Sequence, residues 1–348
     1  MDYICTWICT DEVGEESIYP QTGEKSSSQK HQNIYWRCIL LFYATSKRFN
    51  KKQKHILFSN TRTLPNLDGR SVEDSLKDLE VEIRFTDFNY KTPKGYFNLF
   101  QNQFYEFSIL EYIAQHNPNQ DDQYLILDSD CIFTQPVESL FRSAAPKGFT
   151  SFEDDCSTDL VIHGLSRKDM KLLYEDLLGR KIDIIPGYHL GEFFLASVKN
   201  INIIYNDFMV LWPKLMERHH KGQPKFNEEA QTLSFIYFKN NFQASKSKVI
   251  LKRIWTNPVF YRNVETTDVN VAIWHLPAEK TYGLSDLYNG LIQNQPNYGQ
   301  NVPHQKYMGV VKKLLGIPNL NLKGYFKYYV LSYFRAISKR AKKILSKS

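Results

Sequence analysis

Near the middle of the 348-residue chain lies the stretch Tyr124-Leu125-Ile126-Leu127-Asp128-Ser129-Asp130-Cys131-Ile132-Phe133. Its apolar run predicts a buried strand over Gln123–Leu127 that leads directly into two carboxylates. Residues i and i+2 of an extended segment point to the same side, so Asp128 and Asp130 are expected to converge. Convergent carboxylates suit Mg²⁺ or Mn²⁺, hard ions that prefer oxygen ligands. A solvated turn that carries two acids is the alternative interpretation.

Strand-like and helical segments alternate on both sides of this stretch. Before it we predict strands at residues 3–10, 55–59 and Val81–Phe85, and helices at residues 34–49, 72–79 and 98–114, with a loop at 11–32. After it we predict strands at residues 191–197, 249–255 and 271–275, and helices at 203–219 and 227–238. This pattern is typical of an α/β fold, a single Rossmann-like domain whose mainly parallel central sheet is flanked by helices. Ligands of such sheets bind at the carboxyl ends of the strands, which places Thr10 and Asp128 on one edge.

The charge is distributed unevenly along the chain. The net charge is +7, but no acidic residue follows Asp286, whereas eleven lysines and arginines do. Residues 324–348 combine these charges with apolar residues at three- and four-residue spacing, which predicts a basic helix on an anionic membrane surface. A helix docked on the body with solvated charges is the alternative, and nucleic acid is disfavoured because no nucleic-acid-binding motif is present. We therefore divide the chain into a domain of residues 1–285 and a basic helical extension of residues 286–348.

The composition also predicts a compartment. The five cysteines include no CxxC pair, which favours a reducing compartment. The N-terminus lacks a basic segment followed by an apolar one, and no run of about 18 apolar residues occurs. We expect a cytoplasmic protein that is peripheral on the inner face of the membrane.

The acidic pair resembles the DxD motif of GT-A fold glycosyltransferases, particularly its form in family 8-like bacterial enzymes of lipopolysaccharide or capsule biosynthesis. Three later segments of this chain resemble family segments in the same order: residues 191–196 (GEFFLA) the strand near the donor sugar, residues 227–234 (NEEAQTLS) the acidic helix start near the reacting centre, and Ile273–His275 the strand whose histidine completes the metal site. The likeness covers about residues 1–285. The family has a glycine and then KPW after that histidine, whereas this chain reads LPAEK over residues 276–280.

The resemblance implies a metal-dependent hexosyltransferase. Its cofactor would be Mn²⁺ or Mg²⁺ and its donor a nucleotide-diphosphate sugar, with UDP-hexose the default. The acceptor would be a saccharide or lipid-linked saccharide, and the anomeric configuration would be retained. Two other classes stay open: a haloacid dehalogenase-type phosphatase, whose DxD also follows a strand, and a non-catalytic membrane-associated scaffold with a degenerate transferase fold.

The candidate site residues fall into three groups. The predicted metal ligands are Asp128, Asp130 and His275. The predicted donor contacts are Thr6, Thr10, Lys94, Asp128, Ser129 and Lys280. The predicted catalytic residues are Glu192, Glu228, Glu229 and Gln231.

Several of these residues also have a plain structural interpretation. A carboxylate such as Glu192 in an apolar strand is costly to bury unless it is paired or functional. Glu228 and Glu229 would suit the first turn of a helix capped by Asn227, where acids are favourable. His275 has the alternative role of a hydrogen-bonded core residue, and Lys94 that of a solvated loop residue.

Overall fold

The computed structural model describes residues 1–16, 19, 22, 24–245, 250–293, 296–320, 322, 324–326, 328–330 and 333. Its α-helices are α1 (Gln29–Phe49), α2 (Val72–Asp78), α3 (Tyr105–His116), α4 (Glu138–Ala144), α5 (Arg167–Leu178), α6 (Val198–His220), α7 (Glu229–Lys239), α8 (Gly283–Tyr288) and α9 (His304–Leu315). Its strands are β1 (Asp2–Ile8), β2 (Lys54–Ser59), β3 (Asn66–Leu67), β4 (Arg70–Ser71), β5 (Val81–Phe85), β6 (Gln123–Leu127), β7 (Cys131–Phe133), β8 (Phe149–Thr150), β9 (Phe193–Ser197), β10 (Leu251–Arg253), β11 (Thr256–Asn257), β12 (Tyr261–Arg262) and β13 (Ile273–His275).

The central sheet has the strand order β5-β2-β1-β6-β9-β8. The first four strands are parallel, whereas β9 runs antiparallel to both β6 and β8. Alternate residues of one strand enter two different clusters: Leu125 and Leu127 pack with α1 and α2, and Tyr124 and Ile126 pack with α3 and α6. Because alternate side chains of a strand point to opposite faces, helices cover both faces of the sheet. The predicted α/β fold with a mainly parallel central sheet flanked by helices is confirmed.

A second sheet of three strands, β10-β13-β7, lies beside the carboxyl end of β6. Its register sets one row of residues across the strands. Arg253 of β10 is paired with His275 of β13, and His275 is paired with Cys131 of β7. Cys131 directly follows Asp130, so this register brings three segments that are far apart in sequence to one point.

Several helices begin where a polar side chain caps them. The side chain of Ser28 accepts a hydrogen bond from the His31 backbone, so α1 begins inside the predicted loop of residues 11–32. The predicted helix at residues 98–114 is divided into a 3-10 turn, Gln101–Phe104, and α3. Asn227 does not cap α7, because the capping position is Glu228 and its side chain makes no capping hydrogen bond.

The segment after α8 packs on the same core as the strands. Tyr307, Val311 and Leu315 are buried in the cluster that contains α1 and β7, and the Tyr307 hydroxyl donates to the Phe133 carbonyl (3.2 Å). The predicted boundary at residue 285 therefore falls inside α8, and α9 belongs to the main core.

Only the start of the predicted helix at residues 324–348 is described. Residues 322, 324–326, 328–330 and 333 are helical, and the rest of that segment lies outside the described residues. Among the described helices, none combines the length and the apolarity that crossing a bilayer requires.

Candidate metal centre

The acidic pair lies in a turn at the carboxyl end of β6. The Cys131 amide donates to the Asp128 carbonyl (3.1 Å), which closes the turn that carries Ser129 and Asp130. The Leu276 amide donates to the Asp130 carbonyl (3.1 Å) and ties the turn to the residue after β13. The carboxylates therefore converge through a turn that two neighbouring strands hold, and the predicted extended geometry is wrong.

Asp128, Asp130 and His275 form a triad that fits a divalent ion. One carboxylate oxygen of each aspartate and one ring nitrogen of the histidine all lie within 4.8 Å of one another. His275 Nε2 is 3.3 Å from Asp130 Oδ2 and 3.6 Å from Asp128 Oδ2. Both ring nitrogens of His275 are buried and make no hydrogen bond. An ion bound by two carboxylate oxygens and Nε2 would satisfy this buried nitrogen, and this ligand set suits Mg²⁺ or Mn²⁺.

Glu192 lies on the other side of the histidine. Its Oε1 is 3.3 Å from His275 Nδ1 and accepts a hydrogen bond from Arg253 Nε (2.9 Å). Burial alone would raise the pKa of Glu192, but Arg253 and His275 hold it well below its ordinary value. A carboxylate behind a metal-binding histidine fixes the orientation of its ring. Glu192 is thus a paired residue beside the triad, and its contact with a sugar stays a prediction.

Lys280 brings a positive charge to the triad. It is 9% exposed and forms an ion pair with Asp130, and its Nζ lies 5.6 Å from the centre of the Tyr35 ring. Burial would raise the pKa of Asp130, but Lys280 and His275 hold it well below its ordinary value. Burial and the charge of Asp130 raise the pKa of Asp128 to about 6. The negative charge of Asp130 is therefore better balanced by neighbouring positive charges than that of Asp128.

A cleft of about 240 Å³ opens in front of the triad. Nine of the predicted site residues line it: Thr10, Asp128, Ser129, Asp130, Glu192, Glu228, Glu229, His275 and Lys280. The structure thus gathers residues from five segments of the chain around one cavity.

Three predicted site residues lie outside the cleft lining. Thr6 is buried in β1, and its hydroxyl donates to the Leu127 carbonyl (2.7 Å). Lys94 is exposed on a loop. Gln231 is fully buried, where its side chain accepts from the Asn227 amide (2.8 Å) and donates to the Ile162 carbonyl (3.0 Å). In this position Gln231 holds the loop that precedes α5.

A histidine from that loop joins the cleft without any signal in the sequence. His163 Nδ1 contacts one carboxylate oxygen of Glu228, and the Tyr188 hydroxyl donates to the other. His163 has a positive φ of 46° and its ring lies 5.0 Å from that of Phe100. Glu228 is thus a buried acceptor for two side chains, and its predicted role at the reacting centre stays a prediction. Arg253, Tyr188 and His163 are among the cleft residues that pattern analysis missed.

Two carboxyl groups, one in the cleft lining and one outside it, are almost fully buried. Glu106 of α3 and Glu229 of α7 are 3% and 4% exposed, and one oxygen of each has no hydrogen-bond partner. Burial, together with the charge of Asp128, raises the pKa of Glu106 to about 8. Burial and the charge of Glu228 raise the pKa of Glu229 well above its ordinary value. Both carboxyl groups therefore hold a proton to a higher pH than an exposed glutamate does.

Glu106→Gln is expected to stabilise the protein, and increasingly so as the pH rises. The folded state keeps a proton on Glu106 up to about pH 8, whereas the unfolded state releases it near 4.5, so this group lowers stability between those values. Its removal should raise the free energy of unfolding by about 3 kcal/mol at pH 7 and by less than about 1 kcal/mol at pH 5. Urea unfolding at several pH values measures this gain. The exposed Glu73→Gln is the control, and equal gains at both pH values would contradict the prediction.

No protein-family model matches the sequence, and no curated protein matches it. Among solved structures, the chain is similar to mouse xyloside xylosyltransferase 1 in its apo form, with 12% sequence identity and a TM-score of 0.45. The match covers 79% of this chain and 98% of that chain. The triad and its cleft are therefore the basis for a functional proposal.

Proposed function

We propose that this chain is a metal-dependent glycosyltransferase of the GT-A fold that uses a nucleotide-diphosphate sugar. The observation that carries the proposal is the triad of Asp128, Asp130 and His275 at the bottom of a cleft, at the carboxyl edge of a mainly parallel sheet. This edge is where such sheets bind nucleotides. When bound, Mn²⁺ or Mg²⁺ supplies positive charge that neutralises the diphosphate leaving group.

The proposal assigns a separate role to each group of cleft residues. Asp128 and Asp130 would hold the ion by carboxylate oxygens and His275 would hold it by Nε2, with Glu192 beside the other ring nitrogen. Lys280 lies beside Asp130, where its ammonium group can also bind a diphosphate oxygen. Thr10 and Ser129 line the same cleft, and we assign to them contacts with the nucleotide.

Glu228 and Glu229 stand at the acceptor end of the proposed site. Both carboxyl groups line the cleft, and Glu228 is held in place by Tyr188 and His163. We assign to this pair the binding of an acceptor hydroxyl, with hexose as the transferred sugar, UDP as the nucleotide and retention at the anomeric carbon. The acceptor class is a saccharide or a lipid-linked saccharide, as in lipopolysaccharide or capsule biosynthesis. The basic segment 324–348 would hold the enzyme on the anionic inner face of the membrane.

A thermal-shift screen of UDP, GDP, CMP and dTDP sugars, each with and without Mn²⁺, tests the proposal. One donor is expected to raise the melting temperature only when Mn²⁺ is present, since at 100 times Kd a ligand adds about 2.7 kcal/mol of stability. Stabilisation by none of the donors would contradict the proposal and favour a scaffold. Release of inorganic phosphate from phosphate esters, without nucleotide binding, would favour a phosphatase.

A further inference from the structure

The hairpin of β11 and β12 carries an uncharged apolar tip. Its turn is Pro258-Val259-Phe260, and Phe260 and the following Tyr261 are 69% and 59% exposed. No charged residue occurs between Trp255 and Arg262. Neighbouring exposed aromatic residues without charges between them are typical of a contact surface.

The base of this hairpin lies at the cleft through one residue, Trp255. Trp255 precedes β11 and lines the cleft, and its ring centre lies 6.4 Å from that of Tyr261. The Trp255 amide donates to the Asn263 side chain (2.8 Å), which closes the base of the hairpin. The hairpin is therefore joined to the cleft lining through Trp255.

The same hairpin is fastened to the C-terminal segment. Arg262 donates to the carbonyls of Gly316 (2.7 Å) and Pro318 (2.9 Å). The Tyr328 hydroxyl lies 2.5 Å from Glu279 Oε1 and 3.4 Å from Thr256 Oγ1 of β11. The start of the C-terminal helix thus packs on the body by Tyr328, next to the hairpin.

Among the residues of this helix start that the structure describes, several large apolar side chains are exposed. Five large apolar residues are exposed by 42% to 88%: Leu322, Tyr325, Phe326, Tyr329 and Tyr333. Their spacing of three, one, three and four residues places them on one face of a helix. Two exposed aromatic surfaces, the hairpin tip and this face, therefore lie on segments that contact each other.

We propose that the tip of the β11–β12 hairpin and the exposed face of the C-terminal helix together insert into the interface of an anionic lipid bilayer. The charge supports this partner, because eleven basic residues and no acidic one follow Asp286. Aromatic side chains at the acyl boundary with lysines at the head groups are the arrangement of interfacial helices. The hairpin adds a second contact, and two contacts fix the cleft mouth toward the membrane.

This inference deepens the proposed function. It rests on that function only in one respect, namely that membrane binding would give the enzyme access to a lipid-linked acceptor. Lipid binding by the hairpin requires neither nucleotide nor metal. The experiment below therefore gives a result even where the donor screen fails.

Flotation with vesicles of phosphatidylcholine, with and without phosphatidylglycerol, tests the hairpin. The full chain should bind only the anionic vesicles. Phe260→Ser/Tyr261→Ser should weaken that binding at least about tenfold, since burial of even one aromatic side chain contributes about a factor of ten. The control is Leu172→Ser/Ile184→Ser, two apolar residues that are each 62% exposed. Both variants should keep the far-UV spectrum and melting temperature of the unchanged chain.

A fluorophore at the tip locates the contact directly. Phe260→Trp should show a blue-shifted difference spectrum with anionic vesicles and quenching by lipids brominated on their acyl chains, whereas Val210→Trp should show neither. Unchanged vesicle affinity of the hairpin variant, or a Phe260→Trp signal that vesicles leave unaltered, would overturn the inference. A hairpin variant that loses affinity for a soluble oligosaccharide but not for vesicles would also overturn it.

Discussion

Asp128→Asn is expected to abolish metal-dependent nucleotide binding at little cost to the fold. The substitution removes one ionic ligand of the triad. It should weaken Mn²⁺ binding at least about 100-fold, since even the groups that only orient a metal ligand contribute 10- to 100-fold to the affinity. The Asp128 side chain is 30% exposed, and burial together with Asp130 raises its pKa to about 6. Its negative charge is thus unfavourable before an ion binds, so the melting temperature without ligands should stay the same or rise. Isothermal titration with Mn²⁺ and the thermal shift with the best donor measure both effects.

The control for this variant is Asp121→Asn, which removes an exposed carboxylate from the loop before β6. It should leave the metal-dependent shift intact. A full metal-dependent shift in Asp128→Asn would refute the metal role of Asp128, whereas loss of the shift in both variants would point to a general effect of charge.

The local parts of this site could be predicted from the sequence. A run of apolar residues predicts a buried strand at that place in the chain. Residues 123–130 therefore suffice to predict β6 and the two acidic residues that follow it. His275 was found through the resemblance, because it closes a short apolar strand. Both features depend on contiguous residues.

The remainder depends on strand register and loop conformation. Arg253 reaches Glu192 because β10 pairs with β13 in one particular register, and a shift by one residue would turn its side chain to the other face. His163 enters the cleft from a loop and has a positive φ. The spacing of apolar residues, which predicts helices and strands, carries no information about such a loop conformation. The Asp128–Asp130 turn depends on a hydrogen bond from Leu276, which lies far away in sequence. These contacts join residues that are far apart in the sequence, so no local sequence pattern predicts them.

Removal of the Asp130 carboxylate is expected to destabilise the protein through Lys280. The two side chains are 2% and 8% exposed and form an ion pair, so Asp130→Asn leaves a buried ammonium group without its counter-charge. Breaking one side of a buried pair typically costs about 3–5 kcal/mol. Lys280 also keeps the pKa of Asp130 below its ordinary value of 3.8, so the contribution is present at neutral pH and is lost as the pH falls below that value.

The double variant Asp130→Asn/Lys280→Met separates this cost from the metal role. It removes both charges, so most of the lost stability should return, while Mn²⁺ binding stays lost because one ligand is absent. Urea unfolding of the four members of the cycle at pH 7, without metal, gives a coupling energy that we expect to be at least about 2 kcal/mol. A coupling energy near zero would mean that water or another group compensates Lys280, and the buried pair would then not hold the turn in place. The expected coupling means that the ammonium group of Lys280 neutralises Asp130 as long as no metal ion is bound. Once an ion binds Asp130, this ammonium group is available to bind the diphosphate.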